Sequence, residues 1–92
     1  MNMYNIEKFQ CIIVNADEHN VEILATFYSF AETLEFMTHY IAQNYELSDY
    51  LKVYHNNEQS VSIYQYYRIW SKKLLAKLHI VKYNDITKVE KY

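Results

Sequence analysis

Glycine and proline are both absent from this 92-residue chain, and arginine, tryptophan and cysteine occur once each. Without glycine the chain contains no phosphate-binding P-loop, no dinucleotide-binding fingerprint and no nucleophile elbow, because each of these devices requires glycine at fixed positions. Any backbone position with a left-handed conformation must instead be filled by asparagine or aspartate, which tolerate it next best. The composition therefore excludes several enzyme classes.

The residues that usually carry covalent or metal chemistry are few and unfavourably spaced. Cys11 lies in the apolar run FQCIIV, which predicts a buried, inert thiol, since a reactive thiol needs an exposed and electropositive setting. No histidine pair has the spacing of a metal site and no CxxC motif is present; the histidines are His19, His39, His55 and His79. No nucleophile–base pair or carboxylate pair stands out. We therefore expect no catalytic residue, no metal and no cofactor.

Long apolar runs are also missing. No run approaches the roughly 18 residues that span a bilayer, and residues 1–20 do not resemble a signal peptide. Because 51% of the residues are hydrophobic and 22% are charged, the composition is typical of a folded protein rather than a disordered one. We expect one domain over residues 1–92, with an ordered core at about 8–84 and flexible termini. We also expect a soluble, intracellular protein with no membrane contact.

The first half of the chain predicts a β-hairpin followed by a helix. Residues 8–14 and 21–27 are β-favouring runs joined by the turn formers NADEHN,. Ser29 and Glu32 have the spacing of a capping box at a helix N-terminus. Apolar residues then recur at helical spacing opposite a polar side; they are Phe30, Leu34, Met37, Ile41 and Tyr45, facing away from Glu32, Glu35, His39 and Gln43. An amphipathic helix of about four turns is predicted here.

The second half of the chain predicts three more strands. They are YLKVYH at 50–55, VSIYQYYRIW at 61–70 and LLAKLHIVKY at 74–83, separated by the loops HNNEQS and SKK. The last segment also fits a helix capped by Ser71, because LLAKL is helix-friendly. With the strand preferred, the fold class is α+β: a single, mostly antiparallel sheet in the order ββαβββ, with the amphipathic helix packed on one face.

One face of the sheet is then left without a helix, and strand alternation predicts its composition. If Ile69 pairs with Leu74, the face that includes Ile63, Gln65 and Tyr67 is core. Tyr66 is then opposite Lys77, and Tyr64 is opposite His79. The open face is then covered by aromatic rings with cations between them. We predict that this face is the partner-binding site, formed by Tyr64, Tyr66, Arg68, Trp70, Lys73, Lys77 and His79.

The charges are divided unevenly along the chain. Residues 1–60 contain nine acids and two bases, a net of −7, whereas residues 61–92 contain two acids and seven bases, a net of +5; together they give the total of −2. Because the basic end coincides with the aromatic face, three interpretations compete. The favoured one is a homodimer, since tyrosine, tryptophan and arginine are enriched at interface centres.

The alternative is binding of single-stranded nucleic acid. Bases would stack on Tyr64, Tyr66 and Trp70, while phosphates would meet the surrounding cations, namely Arg68, Lys72, Lys73 and Lys77. The third interpretation is a solvated face without specific function. The eleven tyrosines and eight asparagines have AT-rich codons, so codon usage alone accounts for many of them.

Three stretches, VEILATFYSFAETLEF, VSIYQYY and LHIVKY, carry a resemblance to known proteins. In them the chain resembles short uncharacterised proteins of large DNA viruses that infect amoebae and algae. The resemblance covers roughly residues 8–84 and implies a strand hairpin, a helix and three further strands. It also implies a viral origin and a location in the host cytoplasm or the virion. It brings no catalytic residues.

Overall fold

The computed structural model of the protein describes residues 2–16, 20–68 and 71–89, with side chains for 7–16, 20–68 and 71–82. Within these residues five strands and one helix occur: β1 (Asn2–Asn15), β2 (Val21–Phe27), α1 (Phe30–Asn44), β3 (Leu51–Asn57), β4 (Ser60–Arg68) and β5 (Ser71–Val89). The predicted α+β fold in the order ββαβββ is confirmed. The last segment is a strand, so the helical alternative is wrong.

All neighbouring strands are antiparallel, and they lie in the order β2-β1-β5-β4-β3. The first and last strands are therefore at the centre of the sheet, paired continuously from Asn2↔Val89 to Asn15↔Ala76. β2 joins β1 only from Phe9 onward, and β4 reaches β5 only as far as His79. The far ends of β1 and β5 thus form a two-stranded ribbon, and the molecule measures 63 × 25 × 20 Å.

Local hydrogen bonds to backbone groups define both ends of α1. The Ser29 hydroxyl accepts a hydrogen bond from the backbone N–H of Glu32 at 3.1 Å, which confirms the predicted N-cap,. The Thr33 hydroxyl donates to the Ser29 carbonyl at 2.8 Å. At the other end, the N–H of Tyr45 donates to the Ile41 carbonyl at 3.0 Å. The predicted polar side of the helix is exposed, as expected: Glu32, Glu35, His39 and Gln43.

The core lies between α1 and one face of the sheet. Met37 and Ile41 of the helix are buried as predicted. They meet buried residues from β1, β4 and β5, which are Cys11, Ile13, Val61, Ile63, Ala76, Leu78 and Ile80. Leu34, also predicted to be core, is instead 37% exposed. The reason is placement: among the described residues, the backbone of α1 lies close to β1, β2 and β5, whereas Leu34 borders a cleft that Val53 and His55 of β3 line from the other side.

The register predicted for β4 and β5 is wrong, because pairing begins at Arg68 and Ser71 rather than at Ile69 and Leu74, so the partners in β5 lie four or five positions before the predicted ones. Two bulges also interrupt the pairing. Ile63 pairs with Ala76 but Tyr64 pairs with Leu74, so Leu75 is an extra residue in β5. A bulge adds one residue to one strand and changes which face the following side chains occupy. Leu75 accordingly packs against the core.

The second bulge lies near the hairpin end. Tyr66 pairs with Lys72 and Arg68 pairs with Ser71, so Tyr67 is an extra residue in β4. Tyr67, predicted to face the core, is 56% exposed. The predicted turn residues 71–73 belong to β5, while Ile69 and Trp70 lie outside the described residues.

Candidate functional site

The open face of the sheet, opposite α1, carries a compact group of tyrosines. Val53 of β3 and Ile63 of β4 are paired and turn toward the core. Because side chains alternate along a strand, their neighbours Lys52, Tyr54 and Tyr64 turn to the open face. We call Tyr54, Tyr64 and Tyr66 the tyrosine cluster.

The cluster is held together by ring contacts and one hydrogen bond. The rings of Tyr54 and Tyr64 meet edge to face, with centroids 5.5 Å apart and an interplanar angle of 80°, an arrangement that aromatic quadrupoles favour. The hydroxyl groups of Tyr54 and Tyr66 are hydrogen-bonded to each other. That hydrogen bond is the main cause that raises the pKa of Tyr66 above its ordinary value. The Tyr66 hydroxyl therefore remains protonated near neutral pH.

Two lysines lie over the rings of the cluster. The Lys72 ammonium is 4.4 Å from the Tyr64 centroid and 5.4 Å from the Tyr54 centroid. The Lys52 ammonium is 5.7 Å from the Tyr66 centroid. These distances are within the range of cation–π attraction, which is worth about 0.5–1 kcal/mol at exposed sites. Aromatic and cationic groups are thus combined on the open face, as the sequence predicted, although through different pairs.

A cleft of about 630 Å³ opens beside the cluster, at the edge of the sheet formed by β3. The N–H of Tyr66 donates to the Tyr50 carbonyl at 2.7 Å and so ties the segment before β3 to β4. The cleft is lined by Asp49, Tyr50, Lys52, Tyr54, Tyr66, Tyr67 and Arg68. Its walls therefore offer phenol rings together with charges of both signs.

The predicted site residues are only partly brought together. Tyr64 and Tyr66 belong to the cluster, and Arg68 lines the cleft. Lys77 is opposite Ser62 and His79 is opposite Ser60, farther along the sheet than the predicted pairs with Tyr66 and Tyr64. Both residues are shifted by four positions along β4, because pairing starts at Arg68 and Ser71 and residues 71–73 belong to β5 instead of to the turn.

Two further predicted residues are not in the cluster. Lys73 is opposite Gln65, and as the neighbour of Lys72 it points to the other face of the sheet. Trp70 lies outside the described residues.

The prediction omitted several residues that complete the site. The alternation of YLKVYH is enough to place Lys52 and Tyr54 on the open face, but neither is among the predicted site residues. Lys72 was considered only as a phosphate contact, whereas it lies over two rings of the cluster. Asp49 and Tyr67, which line the cleft, had no sequence signal, because their position depends on the bulge and on the loop before β3.

Cys11 lies in the core and not on the open face, and the described residues of the types that bind metals are not grouped together. Cys11 is buried, as predicted, and burial raises the pKa of its thiol from 9.0 to about 11, so the thiol remains protonated near neutral pH. Among the described residues, no three His, Cys, Asp or Glu side chains are grouped closely enough to hold a metal ion. In the same part of the chain, no helix is both long and apolar enough to cross a bilayer.

Comparisons of the chain with protein-family models, with curated proteins and with solved structures find no match. The resemblance to proteins of large DNA viruses therefore stays a prediction.

Proposed function

We propose that this protein is a non-enzymatic interaction protein that forms a homodimer through its open sheet face. The observation that carries the proposal is the tyrosine cluster with Lys52 and Lys72 over its rings, on the face that α1 does not cover. Tyrosine can bury a large ring while its hydroxyl keeps a polar partner. It therefore suits a surface that is exposed to water in the monomer and buried in the dimer. Tyrosine and arginine are also the residues that most often dominate interface energies.

The mixed charge of the cleft supports pairing with a second copy. In a two-fold symmetric interface each patch meets its own duplicate, so it must be complementary to itself. The cleft contains Asp49 together with Lys52 and Arg68, so the carboxylate of one copy can meet the cations of the other. A credible interface buries at least about 1,000 Å² in total.

The test is the mass of the protein in solution, measured by light scattering over a wide range of concentration. The proposal expects a dimer of the 11.2 kDa chain. The double substitution Tyr54→Ser, Tyr66→Ser should give a monomer with an unchanged far-UV circular dichroism spectrum. Tyr28→Ser is the matched control, because Tyr28 is exposed but lies outside the cluster. A monomeric unmodified protein at the highest concentration, or a double variant that still dimerises, overturns the proposal.

Single-stranded nucleic acid is the second candidate for the same face, favoured by the three cations beside exposed rings: Lys52, Arg68 and Lys72. Stacking of bases on aromatic rings is tolerant of sequence, and phosphate contacts make the affinity depend on salt. Oligonucleotide binding should then weaken steeply with salt and with Lys72→Glu. Lys82→Glu is the control, because Lys82 pairs with Glu7 at 3.1 Å, away from the cluster. Absence of binding at low salt removes this candidate.

The viral origin, and with it a location in the host cytoplasm or the virion, belongs to the proposal and is supported by the sequence resemblance alone.

A further inference from the structure

The helix side of the sheet is incompletely covered at its β3 edge. Among the described residues, the backbone of α1 comes close to β1, β2 and β5 only. Val61 and Ile63 of β4 are nevertheless buried in the core. The incompletely covered part is therefore β3, where Leu51 and Val53 are only partly buried and His55 is exposed.

A continuous apolar groove runs between α1 and this edge of the sheet. Two clefts of about 220 and about 580 Å³ lie along it and share Leu34, Met37, Thr38 and His55. Val53 and Val61 line the first cleft from the sheet side. Leu34 is 37% exposed and Leu47 is 52% exposed on the helix side. Exposed leucines beside a groove of this kind mark an interaction surface rather than ordinary solvated surface.

The length of the groove matches a short helix. Its lining extends along α1 from Phe30 to Ala42. At 1.5 Å per residue this is about 18 Å, the length of a helix of just over three turns. The side of α1 that borders it carries the small residues Thr38 and Ala42, which allow another helix to approach closely.

The charge around the groove indicates the chemistry of its occupant. No lysine or arginine occurs from Phe9 to Leu51, a stretch that includes all of α1. Glu58 lines the wall of the groove at the turn between β3 and β4. The residues that line the two clefts include no lysine or arginine, so the rim of the groove at this end is acidic.

We propose that this groove binds an amphipathic helix of a partner protein, with apolar residues at i, i+3 or i+4 and i+7 flanked by lysine or arginine. Helix-in-groove recognition uses this spacing, and opposite charges at the rim set partner choice and association rate. The α1 helix of a second copy is a poor occupant, because it carries Glu32 and Glu35 and has no lysine or arginine to meet Glu58. This surface is on the opposite side of the sheet from the tyrosine cluster, so the inference is independent of the proposed dimer.

The probe is a synthetic amphipathic peptide of about 14 residues, built from leucine and lysine with the leucines on one helical face. Two controls share its length: a scrambled peptide of the same composition, and a peptide with glutamate at every lysine position. Isothermal titration calorimetry with the full chain should show the leucine–lysine helix binding at least about tenfold more tightly than either control, a difference of about 1.4 kcal/mol.

Substitutions on exposed positions locate the binding site. Leu47→Glu and Thr38→Glu should each weaken binding of the peptide about tenfold or more, while Glu58→Lys should weaken the lysine peptide and favour the glutamate peptide. Ile23→Glu is the matched control, because Ile23 is 57% exposed on β2, outside the groove. Each variant is checked for an unchanged circular dichroism melting curve.

Three results would overturn the inference. One is that the leucine–lysine peptide fails to bind or binds no better than its scrambled control. Another is that the groove variants bind as tightly as Ile23→Glu. The third is that Leu47→Glu or Thr38→Glu converts a dimer to a monomer, since the groove would then be covered by a second copy of this chain.

Discussion

Two leucines illustrate how burial, rather than residue type, decides what a side chain contributes. Leu34 and Leu78 both fit the apolar pattern of their elements, and the sequence predicts both as core. Leu78 is fully buried between β1 and β4, where it is opposite Ile13 and Val61. Leu34 borders the groove and is partly exposed. Periodicity identifies the apolar side of a helix but not how much of that side the sheet covers.

We predict that Leu78→Ala destabilises the protein by about 2–5 kcal/mol, because it removes a fully buried side chain and leaves a cavity. Leu34→Ala should cost about 1 kcal/mol or less, since much of the side chain is already in water. Urea unfolding followed by circular dichroism measures both values in one experiment. Equal losses at the two positions would contradict the observed placement of α1.

One buried polar residue of α1 is also not predicted by the hydrophobic pattern. Thr33 is completely buried. The sequence does not predict this, because threonine is polar and Thr33 is not one of the apolar residues that recur at helical spacing in α1. Its hydroxyl donates to the Ser29 carbonyl, so the buried oxygen has a partner and its desolvation is offset. Tyr64 and Tyr66 of the cluster were easier to predict, because their alternation within VSIYQYY depends only on the strand being extended.

At the scale of elements, the sequence predicts features that depend on neighbouring residues but not features that depend on residues far apart in the chain. The start of α1 depends on Ser29 and Glu32, three residues apart, and the structure confirms it. The pairing of β4 with β5 depends on where the second strand begins: Ser71 and Lys73, predicted as turn residues, already pair with β4. Glycine often marks a hairpin turn or a bulge in a sequence, and this chain has none. The predicted register, and with it the place of Lys73, Lys77 and His79 in the site, therefore failed.

We predict that Ser29→Ala destabilises the protein by about 1 kcal/mol, because the N–H of Glu32 loses its hydrogen-bond acceptor. Ser29→Asp is the matched control: its carboxylate can accept the same bond and is also favoured at the positive end of the helix dipole. Thermal unfolding of the two variants beside the unmodified protein provides the comparison. If Asp destabilises as much as Ala, the cap contributes little and α1 is held by its packing alone.

At the scale of the whole molecule, the strand order has no counterpart in the sequence pattern. β1 and β5 lie at opposite ends of the chain but pair at the centre of the sheet, and no local signal specifies that pairing. The order also determines which residues share a surface, because it sets β3 at an edge. From there β3 contributes Tyr54 to the tyrosine cluster, with Lys52 beside it, on one face and Val53 to the groove on the other.

The ribbon formed by the far ends of β1 and β5 makes the molecule elongated. Its radius of gyration is 16.9 Å, against about 12 Å for a compact domain of this length. In residues 2–8 and 83–89 each strand has one described neighbour, whereas in residues 10–14 and 76–79 each has two. An isolated two-stranded ribbon is marginally stable in water, and each of its outer edges is open to pairing with another strand.

We therefore predict that backbone amides in residues 2–8 and 83–89 exchange with deuterium faster than those in 10–14 and 76–79, because local opening costs less free energy where one neighbour is missing. Mass spectrometry of peptic fragments measures this at low protein concentration, with the central segments of the same strands as the internal control. Equal protection under these conditions would mean that the ribbon edges are covered. Repeating the measurement at high concentration separates two forms of association. A dimer built on the tyrosine cluster slows exchange around Tyr54 and Tyr66 and leaves the ribbon unchanged, whereas addition of a strand to the ribbon edge would slow exchange in the ribbon itself.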